Sequence, residues 1–252
     1  MQFISRLGMV NLGSFFSGSR GIDDSILSFI IPYLLVITFV TLVIVFRKAL
    51  CNYKHEKVVR YSIVTFAMIT ELIFFWWMFT TEAHYSFKEF FVDKSMLPIH
   101  ACAMALWLMV YAGYTKNQKV FRIGFYLAIM GPLLTLFAGT VDYSLDRFRY
   151  WHFYQGHINT FVIAHYLMFV NKLKISKGDW KRATIFVYII AVFLAIPINA
   201  ITGSDYLYVY NTHGSPFEII ENWVLALAAA ALMIIILFRL IEYIYLEKNK
   251  LD

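Results

Sequence analysis

Residues 148–164 read FRYWHFYQGHINTFVIA, a dense run of aromatic and basic residues that leads directly into an apolar segment. This segment carries Gln155, His157 and Asn159 in its first turns. Polar and ionisable side chains are costly inside a hydrocarbon layer, so their presence there is by default a sign of function. His157 is therefore the first candidate for a functional residue.

The composition of the whole chain is that of an integral membrane protein. Of its 252 residues, 60% are hydrophobic and only 15% are charged, and the mean hydropathy is +0.65. A water-soluble domain of this length does not sustain such a composition. The net charge of +6 is spread over short connections between apolar runs, which argues against nucleic acid as a partner.

Seven apolar stretches approach the ~20 residues that a helix needs to cross a ~30 Å hydrocarbon layer. They are residues 26–46, 61–81, 97–114, 120–137, 153–170, 183–201 and 223–243. The sequence thus predicts an all-α fold, a polytopic bundle of seven transmembrane helices within residues 26–246. Residues 1–25 are predicted to form an interfacial segment and residues 247–252 a cytoplasmic tail.

Lys and Arg residues are distributed unevenly between the two sides of this bundle. Most of them lie on the connections 47–60, 115–122 and 171–182 and at the C-terminal end, whereas the connection 202–222 has none. Because Lys and Arg accumulate on cytoplasmic connections, the N-terminus is predicted outside and the C-terminus inside. Cys51 and Cys102 then fall on opposite sides of the membrane, so no disulfide is expected between them.

With this topology, polar residues gather in the outer half of the bundle. His100 is expected about one turn inside the third helix, whose first turn would contain Pro98. The outer ends of the fourth, sixth and seventh helices are marked by Asp142, Asn199 and Glu221. A reaction centre near the outer leaflet accounts for this pattern. The alternative is that outer loops simply carry polar residues and that each histidine binds a loop carbonyl.

Several side chains have both a functional and a structural interpretation. Cys102 is either a nucleophile or a small buried hydrophobe, and on a regular helix it points ~200° away from His100. Arg147 and Arg149 either anchor the interface or hold a phosphate diester. His165 is expected to form an interhelical hydrogen bond.

Glu71 is a second ambiguous group, because it lies in the middle of the second apolar stretch with no cation near it in sequence. It is either a packed, protonated carboxylic acid or a member of a functional network. The histidines show no HxxxH or HxxEH pair, so neither a metal site nor a cofactor is predicted.

Three blocks of the chain resemble, in order and spacing, the YwaF family of bacterial integral membrane proteins. They are LPIHACAMALWLM (97–109), YLAIMGPLLTLF through RFRYWHFYQGH (126–157) and INAITGSDYLYV (198–209). That family is similar to a eukaryotic multi-span enzyme that moves an acyl chain between phospholipids to make ether-linked phosphatidylethanolamine. It is similar, more distantly, to androgen-induced hydrolases of fatty-acid esters. The resemblance implies a multi-pass protein of the cell membrane, in bacteria the plasma membrane.

The resemblance also implies an acyl-transfer or ester-hydrolysing centre in which His157 is the catalytic histidine. The eukaryotic acyltransferase is similar to this chain in the third-helix block but has a cysteine just before the histidine, where Ile99 stands here. The nucleophile is therefore open between Cys102, His100 and water. Asp205 stands where the YwaF family more often has Asn, which changes the local charge.

The sequence leads to a hypothesis of a membrane-embedded acyltransferase that acts on a phospholipid or lysolipid near the outer leaflet. His157 would be the general base and Asn199 a donor to the oxyanion. The substrate would be held by Arg149 and Arg147, with further contacts from Asp142 and Glu221.

Three other functions stay open from the sequence. The same site would serve an acyl-ester hydrolase. A seven-helix transporter or solute-binding protein would use Glu71, His157 and His165 to relay protons or to bind substrate. A non-catalytic assembly partner would place His100 and His157 far apart, facing lipid headgroups.

Overall fold

The structure is a computed structural model that describes residues 15–17, 26–82, 97–138, 143–209 and 219–248. Nine α-helices within these ranges are α1 (Ile26–Val45), α2 (Arg47–Cys51), α3 (Glu56–Trp77), α4 (Ala101–Thr115), α5 (Gln118–Ala138), α6 (Phe148–Phe169), α7 (Asp179–Ile190), α8 (Ile196–Thr202) and α9 (Trp223–Lys248). Helix α3 continues into a π-helical turn, Met78–Glu82, and a second such turn, Ala191–Ala195, joins α7 to α8. A 3₁₀ turn, Tyr206–Tyr208, follows α8.

Every apolar stretch that was predicted to be helical is helical, and the described residues contain no β-strand. Four helical segments are long and apolar enough to cross a membrane: Ile26–Val45, Glu56–Thr80, Asp179–Thr202 and Trp223–Leu246. Helix α4 is also apolar but has only 15 residues. The total of seven crossings, the orientation and the division into residues 1–25, 26–246 and 247–252 stay predictions.

The start of α4 differs from the prediction. The helix begins at Ala101, so Pro98 lies in the turn before it rather than in its first turn. The Ile99 amide donates to the Leu97 carbonyl at 2.7 Å, and the Leu97 amide donates to the Tyr206 hydroxyl at 2.9 Å. These two bonds hold the chain in a tight turn, and His100 becomes the extended residue that precedes the helix.

Helix α6 begins earlier than the predicted residue 153. Its first residue is Phe148, so the aromatic and basic approach is itself helical and carries Arg149 and His152 into the bundle. The helix packs against α1, α3, α4 and α5. Because α6 contacts four neighbours, its polar residues face different partners according to their position around the helix axis.

The main hydrophobic core lies where α4, α5 and α6 meet, and it contains the fully buried side chains of Met109, Phe125 and Leu167. The outer surface of the bundle is also apolar. On α1 and α9, for example, Phe29 and Leu225 are more than half exposed. An apolar exterior is what contact with lipid requires, because the hydrocarbon layer offers polar groups no hydrogen bonds.

Polar side chains join the helices at a few points. The His165 ring accepts at Nε2 from the Tyr245 hydroxyl, 2.8 Å away, and this bond links α6 to α9. The predicted interhelical role of His165 is therefore confirmed. On α3, Arg60 is bound to Glu56 at 3.1 Å and donates to the carbonyl of Gly113 on α4. The second contact fixes α3 against α4 at a glycine.

Substitution of Gly113 by alanine tests this close approach. A Cβ atom at Gly113 would lie 2.4 Å from a methyl group of Val64, and a valine in a helix has one strongly preferred rotamer. We expect Gly113→Ala to lower the free energy of unfolding by about 1–3 kcal/mol, as overpacking does. Titration of the purified protein with SDS in mixed micelles measures this.

Two further variants make that expectation specific. Gly156→Ala is the control, because a Cβ atom there meets nothing within 4 Å. Adding Val64→Ala to Gly113→Ala removes the clashing methyl groups. The double variant should therefore lose less free energy of unfolding than the two single variants lose together. Strict additivity would contradict a clash between these two residues.

Candidate functional site

Cys102 lies in the first turn of α4 and faces the two neighbouring helices α5 and α6. Its thiol is within hydrogen-bonding reach of the His157 imidazole on α6 and of the Thr135 hydroxyl on α5. Thr135 is buried. Three helices thus contribute one side chain each to a small polar group inside the bundle.

The hydrogen bonds of His157 determine which ring nitrogen faces the thiol. Nδ1 lies 2.7 Å from the backbone carbonyl of Phe153, one helical turn earlier. A carbonyl only accepts hydrogen bonds, so Nδ1 carries the proton and, in the neutral ring, Nε2 has none. Nε2 is then the ring nitrogen that is free to accept from the Cys102 thiol. A thiol beside an unprotonated imidazole nitrogen is the arrangement that activates cysteine nucleophiles.

Gly131 makes room for the sulfur. A Cβ atom at this position would lie 3.2 Å from Cys102 Sγ, which is tighter than most contacts of that kind. Because Gly131 has no side chain, α4 and α5 approach each other closely at the cysteine. Pro132 follows it inside α5.

A second polar group lies on α6 about one turn before the first, and it contains the partner of Glu71. His152 Nε2 is 2.9 Å from the Glu71 carboxylate, and an Arg149 guanidinium nitrogen is 2.8 Å from His152 Nδ1. Arginine is only a donor, so His152 Nδ1 accepts and Nε2–H donates to Glu71. The His152 ring stacks on Phe74 with centroids 3.9 Å apart.

This second group holds a charge pair through a histidine. Arg149 and Glu71 carry opposite charges, and His152 lies between them with 9% of its side chain exposed. Arg149 also lies over the Phe74 ring, 4.7 Å from its centroid.

The remaining predicted residues lie elsewhere. Arg147, just before α6, is 2.5 Å from the Ser17 hydroxyl and 3.6 Å from the Asp146 carboxylate. His100 faces the rings of Tyr206 and Tyr208, whose centroids are 5.2 and 5.8 Å from its own.

Asn199, Glu221 and Asp142 complete the predicted set. Asn199 is buried, and its amide both donates to the Tyr206 carbonyl at 3.0 Å and accepts from the Tyr206 amide at 2.8 Å. It holds the turn that carries Tyr206, and its oxyanion role stays a prediction. Glu221 is exposed just before α9. Asp142 lies outside the described residues.

Sequence reasoning overlooked Thr135 and the purpose of Gly131. The two residues are four apart on α5 and therefore share a face of that helix. That spacing is visible in the sequence, but only the packing of α4 against α5 shows that the shared face meets Cys102. Among the described residues, no three His, Cys, Asp or Glu side chains are grouped as in a metal site.

The Glu71–His152 pair is testable by a double-mutant cycle. Glu71→Leu removes the acceptor of the buried His152 Nε2–H, and a buried donor without a partner typically costs about 1–3 kcal/mol of the free energy of unfolding. The double variant Glu71→Leu/His152→Phe should lose less than the sum of the two single variants, by about 1–3 kcal/mol. Glu221→Leu, at an exposed carboxylate, is the matched control and should stay within about 0.5 kcal/mol. Additive losses would mean that the two side chains do not interact.

Comparison with known proteins gives one match to a family. Residues 15–242 match the model of the TMEM164 family. No curated protein and no solved structure matches the chain. The matched range contains all the helices that surround Cys102 and His157. Because it covers most of the chain, and because that family consists of membrane proteins, the protein described above belongs to the TMEM164 family of membrane proteins.

Proposed function

We propose that this chain is a membrane-embedded acyltransferase that acts on acyl esters of a phospholipid or lysolipid near the outer leaflet. Cys102 is the nucleophile and His157 its general base. The observation that supports the proposal is that the Cys102 thiol lies within hydrogen-bonding reach of His157, whose Nδ1 is bound to the Phe153 carbonyl and whose Nε2 is thereby left to act as base. The resemblance of the blocks around both residues to acyl-transferring proteins supports it.

The first half of the reaction forms an acyl-enzyme. His157 Nε2 takes the thiol proton as Cys102 Sγ attacks the ester carbonyl of the donor lipid. The new C–S bond replaces the ester C–O bond, and the protonated imidazole returns its proton to the leaving oxygen. The products are a thioester on Cys102 and a lysolipid alcohol.

The second half transfers the acyl group to the acceptor. An acceptor hydroxyl loses its proton to His157 Nε2 and attacks the thioester carbonyl. A C–O bond forms, the C–S bond breaks, and the proton passes from the imidazole back to the sulfur. A helical bundle that excludes water favours a lipid hydroxyl over water as the acceptor, whereas water in that position would make the same site a hydrolase.

Three features of the fold stabilise the thiolate and orient its base. Thr135 is in reach to donate a hydrogen bond to the sulfur. Cys102 lies in the first turn of α4, where unpaired backbone N–H groups and the helix dipole favour negative charge. The Phe153 carbonyl holds the His157 ring in the tautomer that the reaction requires.

The lipid phosphate is assigned to the basic end of α6. Arg147 precedes the helix and Arg149 lies in its first turn, so both bring positive charge to the N-terminal end of α6. His157 lies about two to three turns further along the helix. Guanidinium groups suit a phosphate diester. The proposed location is a cell membrane, the plasma membrane in a bacterium.

A proton-relay function receives less support. It would rely on Glu71 and His165, and both have found partners within the bundle, His152 and Tyr245 respectively. Their burial is therefore accounted for by interhelical bonding.

Acyl exchange between phospholipids tests the proposal. We expect purified protein in lipid to transfer an isotopically labelled acyl chain from phospholipid to lysophospholipid, measured by product mass. Cys102→Ala and His157→Gln should each lower the rate at least ~10²-fold, which is the usual contribution of a general base. Incubation of the wild type with donor alone should add one acyl group to the protein, in a linkage that hydroxylamine releases.

Matched controls exist for both residues. Cys51→Ser removes an exposed thiol. His165→Gln removes a histidine with the same bond to a backbone carbonyl one turn earlier, 2.8 Å long, on the same helix. Both should keep most of the activity if they remain folded. Full activity of a folded Cys102→Ala variant would show that the nucleophile is His100 or water. A wild-type protein that catalyses neither acyl exchange nor hydrolysis would refute the proposed enzymatic function.

Gly131→Ala should affect the reaction through position alone. The added methyl group presses on Cys102 Sγ and shifts it relative to His157, and small misplacements of reacting groups cost up to ~10²-fold in rate. We expect a lower rate of acyl transfer with little change in unfolding. Gly156→Ala, next to His157 but in open space, should retain the rate of the wild type. Equal rates for both variants would show that Gly131 does not position the sulfur.

A further inference from the structure

A long apolar groove lies on the opposite side of α6 from the Cys102–His157 pair. It runs between α1, α3 and α6 and has a volume of about 590 Å³, within the range of small-molecule sites. Its apolar walls include Leu35, Val43, Ile63 and Val162. Phe39 and Phe66 at its rim are 46% and 58% exposed, so the groove is open to the surrounding bilayer.

Two amide side chains line this groove without hydrogen-bond partners. In the described part of the chain, Gln155 Nε2 and Oε1 and Asn159 Nδ2 are buried and unpaired. A buried polar group without a partner is unfavourable, and the great majority of such groups in proteins are paired. The Tyr166 hydroxyl, further along the same groove, is also buried and unpaired. The two amide side chains lie one turn apart and both line the same cavity, which points to a ligand as their partner.

The groove is a separate site from the proposed reaction centre. Gln155 and Asn159 each lie two residues from His157, which places their side chains ~200° around the helix axis from it. The structure agrees, because His157 contacts Cys102 on α4, whereas Gln155 and Asn159 line a cavity against α1. A ligand in the groove therefore does not occupy the position of the reacting ester.

The unpaired atoms define the chemistry of the ligand. Two amide nitrogens require acceptors and one amide oxygen requires a donor, so a carbonyl together with a hydroxyl satisfies them. Among the residues that the structure describes, none of those lining the groove is charged, which disfavours a phosphate or ammonium headgroup in its interior. The ligand is thus a neutral lipid.

The length of the groove points to a single acyl chain. From Gln155 to Tyr166, which also lines it, the helix rises for about 16 Å, or half of a ~30 Å hydrocarbon layer. Half of that layer is the length that one acyl chain covers in a leaflet. At the other end, Tyr150 donates to the Ser28 carbonyl at 2.6 Å and joins α6 to α1.

We propose that the groove between α1, α3 and α6 binds a neutral single-chain lipid of the monoacylglycerol class. Its ester carbonyl and a glycerol hydroxyl bond to Gln155 and Asn159, and its chain lies along α6 towards Tyr166. This is a binding site, independent of the chemistry at Cys102.

Titration of the purified protein with monooleoylglycerol, followed by native mass spectrometry, tests the site. Gln155→Leu/Asn159→Leu should weaken binding of monooleoylglycerol by about tenfold, because it removes the groups that bond to the ester and hydroxyl. Methyl oleate has no hydroxyl, so the wild type should bind it more weakly than monooleoylglycerol. The double variant should bind the two lipids equally well. Oleoyl-lysophosphatidylcholine, which carries a charged headgroup, should not compete for the groove.

Thermal unfolding of the same variants separates a binding role from a structural one. Without ligand, the double variant should unfold at a higher temperature than the wild type, since two unpaired polar groups have been replaced by apolar ones. Monooleoylglycerol at one fixed concentration should raise the midpoint of the wild type by more than that of the double variant, because the variant binds it about tenfold more weakly. Asn52→Leu, at an exposed amide outside the groove, is the control and should respond to the ligand as the wild type does.

Three outcomes would overturn the proposal. A destabilised double variant would show that the amides support the fold. Equal binding of monooleoylglycerol by the wild type and the double variant would show that the amides do not recognise it. No response of the wild type, as expected if a second copy of the chain or another protein segment fills the groove, would exclude the lipid as occupant.

Discussion

The constraint on which this structure depends is that polar side chains inside an apolar bundle must find partners within the protein. Helix α6 concentrates the problem, because it carries three histidines and two amides among apolar residues. Two of the histidines, His157 and His165, bond through Nδ1 to the carbonyl one turn earlier. This bond assigns the tautomer in each case, so Nε2 becomes an acceptor directed at a neighbouring helix.

The partner of each Nε2 determines what that histidine contributes. His165 meets the Tyr245 hydroxyl and forms a hydrogen bond across the α6–α9 contact. His157 meets a thiol, which becomes a nucleophile when its proton is removed. The two histidines have the same local bond to the backbone and differ in the partner that the neighbouring helix supplies, a hydroxyl for His165 and a thiol for His157.

Much of the fold could be predicted from the sequence, because a hydrocarbon solvent allows few solutions. Each apolar stretch of roughly the right length is a helix, and only its ends were misplaced. Those ends depend on bonds between residues that are distant in sequence. Tyr206 fixes the turn before α4, and the bond to Glu71 stabilises His152 inside the bundle. Neither partner is near in sequence, so no local pattern contained the information.

In the candidate site, too, the sequence identified individual residues but not the contacts between them. His157 and Cys102 were recognisable as unusual, but their contact and the contribution of Thr135 required the packing of three helices. Asn199 was equally unusual in the sequence, yet its amide is used to hold the Tyr206 backbone. A polar residue in a membrane segment thus predicts that its side chain forms a hydrogen bond. Only the fold shows whether the partner is the backbone, another side chain or a ligand.

Gln155 and Asn159 represent the third of these cases and give α6 two functional faces. One face places His157 beside the Cys102 thiol, and the other carries two unsatisfied amides whose side chains line an open apolar groove. Both faces belong to one helix of 22 residues, and their side chains point to opposite sides of its axis. A lipid in the groove and an ester at Cys102 therefore occupy separate spaces, and the same requirement for partners is met on one face by the protein itself and on the other by a ligand.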